Sequence, residues 1–227
     1  CAAALQYIKD LKWKYDELPS STLVNNADTK KFVGTNQAAM TISAPDICAF
    51  LVNNYQLDKE KIGFDCIFTG YLGNADQIEI CSLLIDKNKD AFVIVDPVMA
   101  DSGKLYAGFD HGFAEKMKIL CKKADIITPN YTEACFLSGV EYSEVPTHEE
   151  IERCFDGIES AGIKSAAITG IRAPDGKIGT AYRNFETGAS YMTDHPFVDA
   201  MLHGGGDVFA SVLCGMIMSG KTTEKAI

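Results

Sequence analysis

The chain has no Cys-x-x-Cys pair, no run of eighteen continuous apolar residues and no excess of basic charge, and each absence removes a class of function. Eight cysteines (1, 48, 66, 81, 121, 135, 154 and 214) without metal-like spacing do not describe a zinc site or a disulfide framework. Most lie inside apolar runs such as Asp65-Cys-Ile-Phe68 and Val212-Leu-Cys214, the pattern of small buried hydrophobes in a reducing compartment. A formal charge of −10 and a pI near 4.8 exclude non-specific nucleic-acid binding, which needs a basic surface to displace counterions. No membrane-spanning run is present, and the opening residues lack a basic-then-apolar layout, so a soluble cytoplasmic protein is expected.

There is also no internal repeat, low-complexity tract or Pro/Ser-rich linker, and 47% hydrophobic residues suffice for a sizeable core. One domain over residues 1–227 is expected. Short β-rich runs alternate with longer runs of helical period, the pattern of a mostly parallel sheet covered by helices on both faces. Strands are predicted at 64–68, 92–95, 125–128, 165–169, 180–183 and 190–193, the last two as an antiparallel hairpin. Helical stripes recur at Ile47, Phe50, Leu51 and Tyr55; at Ile78, Cys81 and Ile85; and at Phe113, Met117 and Leu120. Thr147-His-Glu-Glu150 is a capping box ahead of Ile151, Cys154, Phe155 and Ile158, with Gly162 as the stop.

Chemistry is concentrated in two places. His203-Gly-Gly-Gly-Asp207 precedes an apolar helical run, so its backbone can approach a ligand while the helix start offers unpaired N–H groups to an anion. An Asp in that first turn could take a proton from an attacking hydroxyl, or could serve only as a cap or dipole partner. The second place is the carboxyl ends of the predicted strands, where α/β sheets bind ligands. Thr69-Gly-Tyr71, Asp96-Pro-Val-Met-Ala-Asp101, Thr128-Pro-Asn-Tyr-Thr-Glu133 and Thr169-Gly170 all fall there. Half-buried carboxylates are costly unless paired or metal-bound, so Asp96, Asp101 and Glu133 on one rim predict a cation between them, with Mg²⁺ and a nucleotide as the natural candidates. Taken singly, Asp96 could start a turn, Asn130 and Glu133 could cap a helix, and Tyr71 could be packing.

Thr69-Gly-Tyr-Leu, Asp96-Pro-Val-Met-Ala-Asp-Ser-Gly-Lys-Leu-Tyr106, Ala124-Asp-Ile-Ile-Thr-Pro-Asn-Tyr-Thr-Glu-Ala134 and Val198-Asp-Ala-Met-Leu-His-Gly-Gly-Gly-Asp207 resemble, in order and spacing, pyridoxal kinases of the ribokinase superfamily. The resemblance extends from about Ile62 to the end and is looser over Leu18-Pro-Ser-Ser-Thr-Leu-Val-Asn-Asn-Ala-Asp-Thr29. It implies a three-layer αβα sandwich and ATP-dependent phosphorylation of the 5′-hydroxymethyl group of pyridoxal, pyridoxamine or pyridoxine. Asp207 would be the base, with the N–H groups of Gly204, Gly205 and Gly206 around the transferring phosphoryl. Asn130 and Glu133 would order Mg²⁺ and its waters, and Asp96 would lie near the ATP phosphates. Asp101, Thr128 and Thr169 match positions around a monovalent cation (K⁺ or Na⁺) and the nucleotide, and Val198, Asp199 and Ala200 match the nucleotide rim. Thr29, Asp28 and Tyr71 match the vitamin side. A homodimer is implied in the same way.

The chain departs from that pattern at Gly205, where the family usually has Thr; at Asp28, where His is common; and at Lys30-Lys31, where the turn usually contains glycine. The family's opening strand and Ser-containing loop, and its closing helices, have no counterpart here, so they are expected to belong to residues outside the 227. A hydroxymethylpyrimidine kinase of the same superfamily resembles Asp96-Pro-Val-Met99 and Ser102-Gly103 but commonly has Cys in place of Asp207. A vitamin- or nucleotide-binding homologue with weak turnover is the third reading, raised by Gly205, Asp28 and the lysine pair.

Overall fold

A computed structural model describes residues 64–198 and 204–227. The stripe at Ile47 to Tyr55, together with Asp28, Thr29, Asp199, Ala200 and His203, lies outside the described residues. The chain divides into two compact units, one containing Tyr71–Asn88 and the other Phe64–Gly70 with Lys89–Ile227.

In the first unit, helix α1 (Ala75–Lys87) begins where Asn74 accepts a bond from Gln77 N at 3.0 Å, while Gln77 Oε1 accepts from Gly73 N at 2.6 Å. The predicted stripe of Ile78, Cys81 and Ile85 is its buried face.

The second unit is built on a six-stranded sheet. Strands β1 (Cys66–Thr69), β2 (Phe92–Val95), β5 (Ile126–Ile127) and β6 (Ser165–Arg172) pair parallel in that order. Strands β7 (Lys177–Asn184) and β8 (Ser190–Pro196) then extend the sheet antiparallel. The β7–β8 hairpin follows the sequence pattern, and β6 and β7 are longer than predicted because they too form a hairpin, closed through Asp175-Gly176. Two short strands, β3 (Ala100–Asp101) and β4 (Lys104–Leu105), make a separate hairpin that apolar periodicity does not reveal.

Alternation along β7 shows that both sheet faces carry helices. Tyr182 packs in a cluster with Ile94, Ile126, Ala167, Leu213 and Ala226, so helices α5 (Gly205–Met218) and α6 (Thr223–Ala226) cover that face. Its neighbour Arg183 points the other way, where it meets Glu152 at 2.7 Å and lies over the Phe155 ring of α4 (His148–Ser160). On α4 the capping box forms as predicted, with Glu150 N donating to Thr147 Oγ1 at 3.2 Å and Thr147 N donating to Glu150 Oε2 at 2.7 Å. Ile151, Cys154, Phe155 and Ile158 are its buried stripe, and Phe113, Met117 and Leu120 are that of α2 (His111–Cys121). Helix α3 (Tyr131–Ser138) is buried almost all round, fitting its place beside α2 and α4. Among the described residues no helix is long and apolar enough to cross a membrane.

Candidate functional site

Four parallel strands bring their carboxyl ends to one edge, and a continuous run of backbone bonds ties those ends together. Asp96 N donates to Thr69 O at 2.8 Å, Thr128 N to Val95 O at 3.0 Å, and Thr169 N to Pro129 O at 2.9 Å. The register of β6 against β7 slips between Ile168 and Ile171, and Thr169 bridges to Asn130 at that irregularity. Such bulges re-aim side chains at the rim of a sheet.

Asp96 and Glu133 are both buried. Burial pushes the Asp96 carboxyl up to about 7, the neighbouring Thr128 hydroxyl offsets part of this, and the charge of Asp207 adds to it. Glu133 is raised well above the usual carboxylate range, first by burial and then by Asp96. Its oxygens are committed to backbone donors: Oε1 accepts from Met99 N at 3.0 Å and Ala100 N at 3.4 Å, and Oε2 from Asn130 N at 2.8 Å. Asn130 returns the contact, accepting from Glu133 N at 2.9 Å and donating through Nδ2 to Ala100 O at 2.8 Å. The pair is a capping box, and it also clamps the loop after β2 onto the start of α3.

The glycine motif closes the site from the other side. Gly204 is the N-cap of α5, with φ of +86°, and among the described residues no side chain caps the helix start. A glycine helix start of this kind presents its first-turn N–H groups to an anion. A Cβ built at Gly206 would stand 3.6 Å from Asp96 Oδ2, placing the cradle directly against that carboxylate. Asp207 itself is exposed, and its two oxygens lie between Gly204 and Gly70, each 3.8 Å from where a Cβ at those glycines would be. Gly70 belongs to the site through this approach, a role that only the folded chain reveals.

The rim therefore brings Asp96, Thr128, Asn130, Glu133, Thr169 and Gly204 to Asp207 together. It does not group the three carboxylates predicted around one cation. Asp101 is exposed at the β3–β4 hairpin, where its Oδ1 accepts from Ser102 N at 2.7 Å, and among the described residues no three His, Cys, Asp or Glu side chains form a metal-ligating group. Glu133 faces backbone amides instead of standing open. Val198 is exposed just beyond β8, and Tyr71 belongs to the first unit.

The residues present nonetheless fit a nucleotide with its magnesium. An uncapped glycine turn accepts phosphate, and a buried Asp whose carboxyl is raised by burial and by the neighbouring Asp207 charge suits a cation that takes most ligands from phosphate and water.

Comparison with known proteins points to kinases. A family model described as phosphomethylpyrimidine kinase matches residues 39–227. A Schizosaccharomyces pombe protein provisionally named a pyridoxal kinase is 26% identical over 213 residues, covering 91% of this chain and 65% of its own. A Bacteroides thetaiotaomicron structure, provisionally named a phosphomethylpyrimidine kinase and containing pyridoxal, superposes with a TM-score of 0.71 at 32% identity, covering 82% of this chain and 65% of its own. The Leishmania donovani pyridoxal kinase in complex with ADP and pyridoxamine has a TM-score of 0.63 at 26% identity, covering 81% of this chain and 65% of its own. The chain thus spans about 65% of the length of each of these relatives. Their ribokinase-like fold is the one described above.

Proposed function

The chain belongs to the phosphomethylpyrimidine kinase family, and on that premise we propose that it transfers the terminal phosphoryl group of ATP to the 5′-hydroxymethyl group of pyridoxal, pyridoxamine or pyridoxine. One observation carries the reading: an exposed carboxylate, Asp207, sits in the first turn of a helix whose glycine N-terminus has no side-chain cap and abuts a second carboxylate, Asp96. The relatives crystallised with pyridoxal, or with ADP and pyridoxamine, support the choice of both substrates.

A primary alcohol is a weak nucleophile, so its proton must leave as attack proceeds. Asp207 accepts that proton through a carboxylate oxygen, and the N–H groups of Gly204, Gly205, Gly206 and Asp207 take up charge on the phosphoryl oxygens. Mg²⁺ would be held near Asp96 through phosphate and water, with Thr128 beside it, and would neutralise the charge building on the phosphates. Asn130 and Glu133 position this apparatus by fixing the loop of Asp96 to Ala100. Thr169, Val198, Asp199 and Ala200 complete the nucleotide side; Thr29, Asp28 and Tyr71 the vitamin side; and Asp101 with Thr128 would attend a monovalent cation. A cytoplasmic homodimer completes the reading.

Hydroxymethylpyrimidine is the second acceptor, favoured by the name of the matching family model. An Mg-ATP assay across pyridoxal, pyridoxamine, pyridoxine and hydroxymethylpyrimidine separates the readings. Phosphorylated vitamin B6 is expected. Product only from the pyrimidine reassigns the substrate, and ligand binding without product from any acceptor leaves a binding protein. Asp207→Asn should lower turnover by about 10²- to 10⁴-fold with ATP affinity retained; undiminished turnover would remove Asp207 as base.

A further inference from the structure

We propose that Cys66 and Cys214 are a redox-modification site: a hydroperoxide oxidises them to a disulfide that staples β1 to α5 and reversibly slows the transfer reaction. The effect on turnover rests on the kinase reading above; formation of the disulfide does not.

The two sulfurs lie 3.4 Å apart, although 148 residues separate them in sequence. A disulfide needs about 2.05 Å, so closure requires a shift of little more than an ångström. Access distinguishes this pair from the other thiols. Among the described cysteines, 81, 121, 135 and 154 are buried, whereas Cys66 and Cys214 are half-buried. Burial, followed by the presence of Cys214, pushes the Cys66 thiol up to about 12, so Cys66 keeps its proton and serves as the resolving sulfur. The Cys214 sulfur attacks the peroxide O–O bond, its proton leaves with the displaced oxygen as water, and a sulfenic acid remains. Cys66 sulfur then attacks that sulfur, the S–O bond breaks, and a second water leaves. In sum, two thiols and one hydrogen peroxide give one disulfide and two waters.

The position of the pair links oxidation to the site. Cys214 lies two helical turns beyond Asp207 on α5, and Cys66 lies on β1, whose carboxyl end leads to Gly70 beside the Asp207 carboxylate. The same two elements therefore meet at the thiols and again at the base. Drawing them together at one end moves Asp207 against the acceptor, and a misplacement of about 1 Å can cost roughly 10²-fold in rate.

The test uses the full chain, first reduced and then treated with hydrogen peroxide. A Cys66–Cys214 linked peptide in a non-reducing digest is expected, with kcat at least tenfold lower and restored by dithiothreitol. Cys214→Ser and Cys66→Val, each active when reduced, should both resist the oxidant. Oxidation of other thiols without the linked peptide, or the linked peptide with kcat unchanged, would overturn the proposal. If the reduced protein phosphorylates no acceptor, the kinase reading fails separately; the linked peptide with a raised melting temperature then supports the staple, and its absence refutes it.

Discussion

Asn130 and Glu133 cap each other, with Asn130 Oδ1 2.9 Å from Glu133 N and Glu133 Oε2 2.8 Å from Asn130 N. The same Glu carboxylate holds Met99 N and Ala100 N, so three backbone donors depend on one buried side chain. Glu133→Ala strands those donors, and each buried orphan costs about 1–3 kcal/mol. Urea unfolding should show a loss of several kcal/mol, roughly 3–5 if relaxation is partial. Glu133→Gln, which keeps one acceptor oxygen, should lose less. A loss below about 1 kcal/mol for the alanine variant would mean that the clamp contributes little.

Asp96 makes the stability of the ligand-free protein depend on pH. Its folded carboxyl titrates at about 7, above the unfolded value of 3.8, so the native state binds the extra proton. The resulting stabilisation is complete below the unfolded value and is lost as pH rises through about 7. Between pH 5.5 and 8 the loss from this group is on the order of 2 kcal/mol, and Glu133, also raised, acts in the same direction. Denaturant titrations without divalent cations should show stability falling over that interval, with a shallower fall in Asp96→Asn. Equal slopes for the two proteins would remove Asp96 as the source.

Adjacent glycines should respond in opposite ways. Gly204 has φ of +86°, so Ala there strains the backbone by about 1–2 kcal/mol and tilts the first N–H groups of α5 away from a phosphate. Gly205 is already helical, and a Cβ there meets nothing within 4 Å. Gly204→Ala should lower both melting temperature and ATP affinity, whereas Gly205→Ala should leave the fold intact or slightly firmer. Similar behaviour from the two variants would show that the left-handed cap is unimportant.

Sequence patterning made β1, β2 and β5 legible because they are short, apolar and rich in β-branched residues. Phe92–Val95 has the predicted bounds, whereas Ile126–Ile127 is shorter than the 125–128 expected, since Asp125 and Thr128 bond to β2 from just beyond the strand. The ends of β6 and β7 were not legible: Arg172, Lys177 and Asn184 are polar and pair through their backbones. At the site, spacing along the chain identified the residues at the rim but carried no information on where their carboxylates point. Asp101 ends the short strand β3 and Glu133 stands in the first turn of α3, yet one reaches solvent and the other turns onto amides more than thirty residues away in sequence. Those partners follow from how the loop after β2 folds over α3. The β3–β4 hairpin likewise meets partners distant in sequence: Gly103 N donates to Thr132 Oγ1 at 3.1 Å, and a Cβ at Gly103 would stand 2.6 Å from the Tyr142 ring.

The open space at Gly205 bears on catalysis as well as folding. Family resemblance puts Thr at this position, and a Thr side chain enters unobstructed space on a backbone that L residues adopt readily. A hydroxyl there would add one contact to the phosphoryl group and stiffen the turn that presents Asp207. One such hydrogen bond is worth about 0.5–1.5 kcal/mol, so Gly205→Thr should raise kcat roughly two- to tenfold if the contact strengthens in the transition state. An effect confined to KM would assign the hydroxyl to ground-state binding. An unchanged or lower kcat would show that the glycine is not what limits turnover.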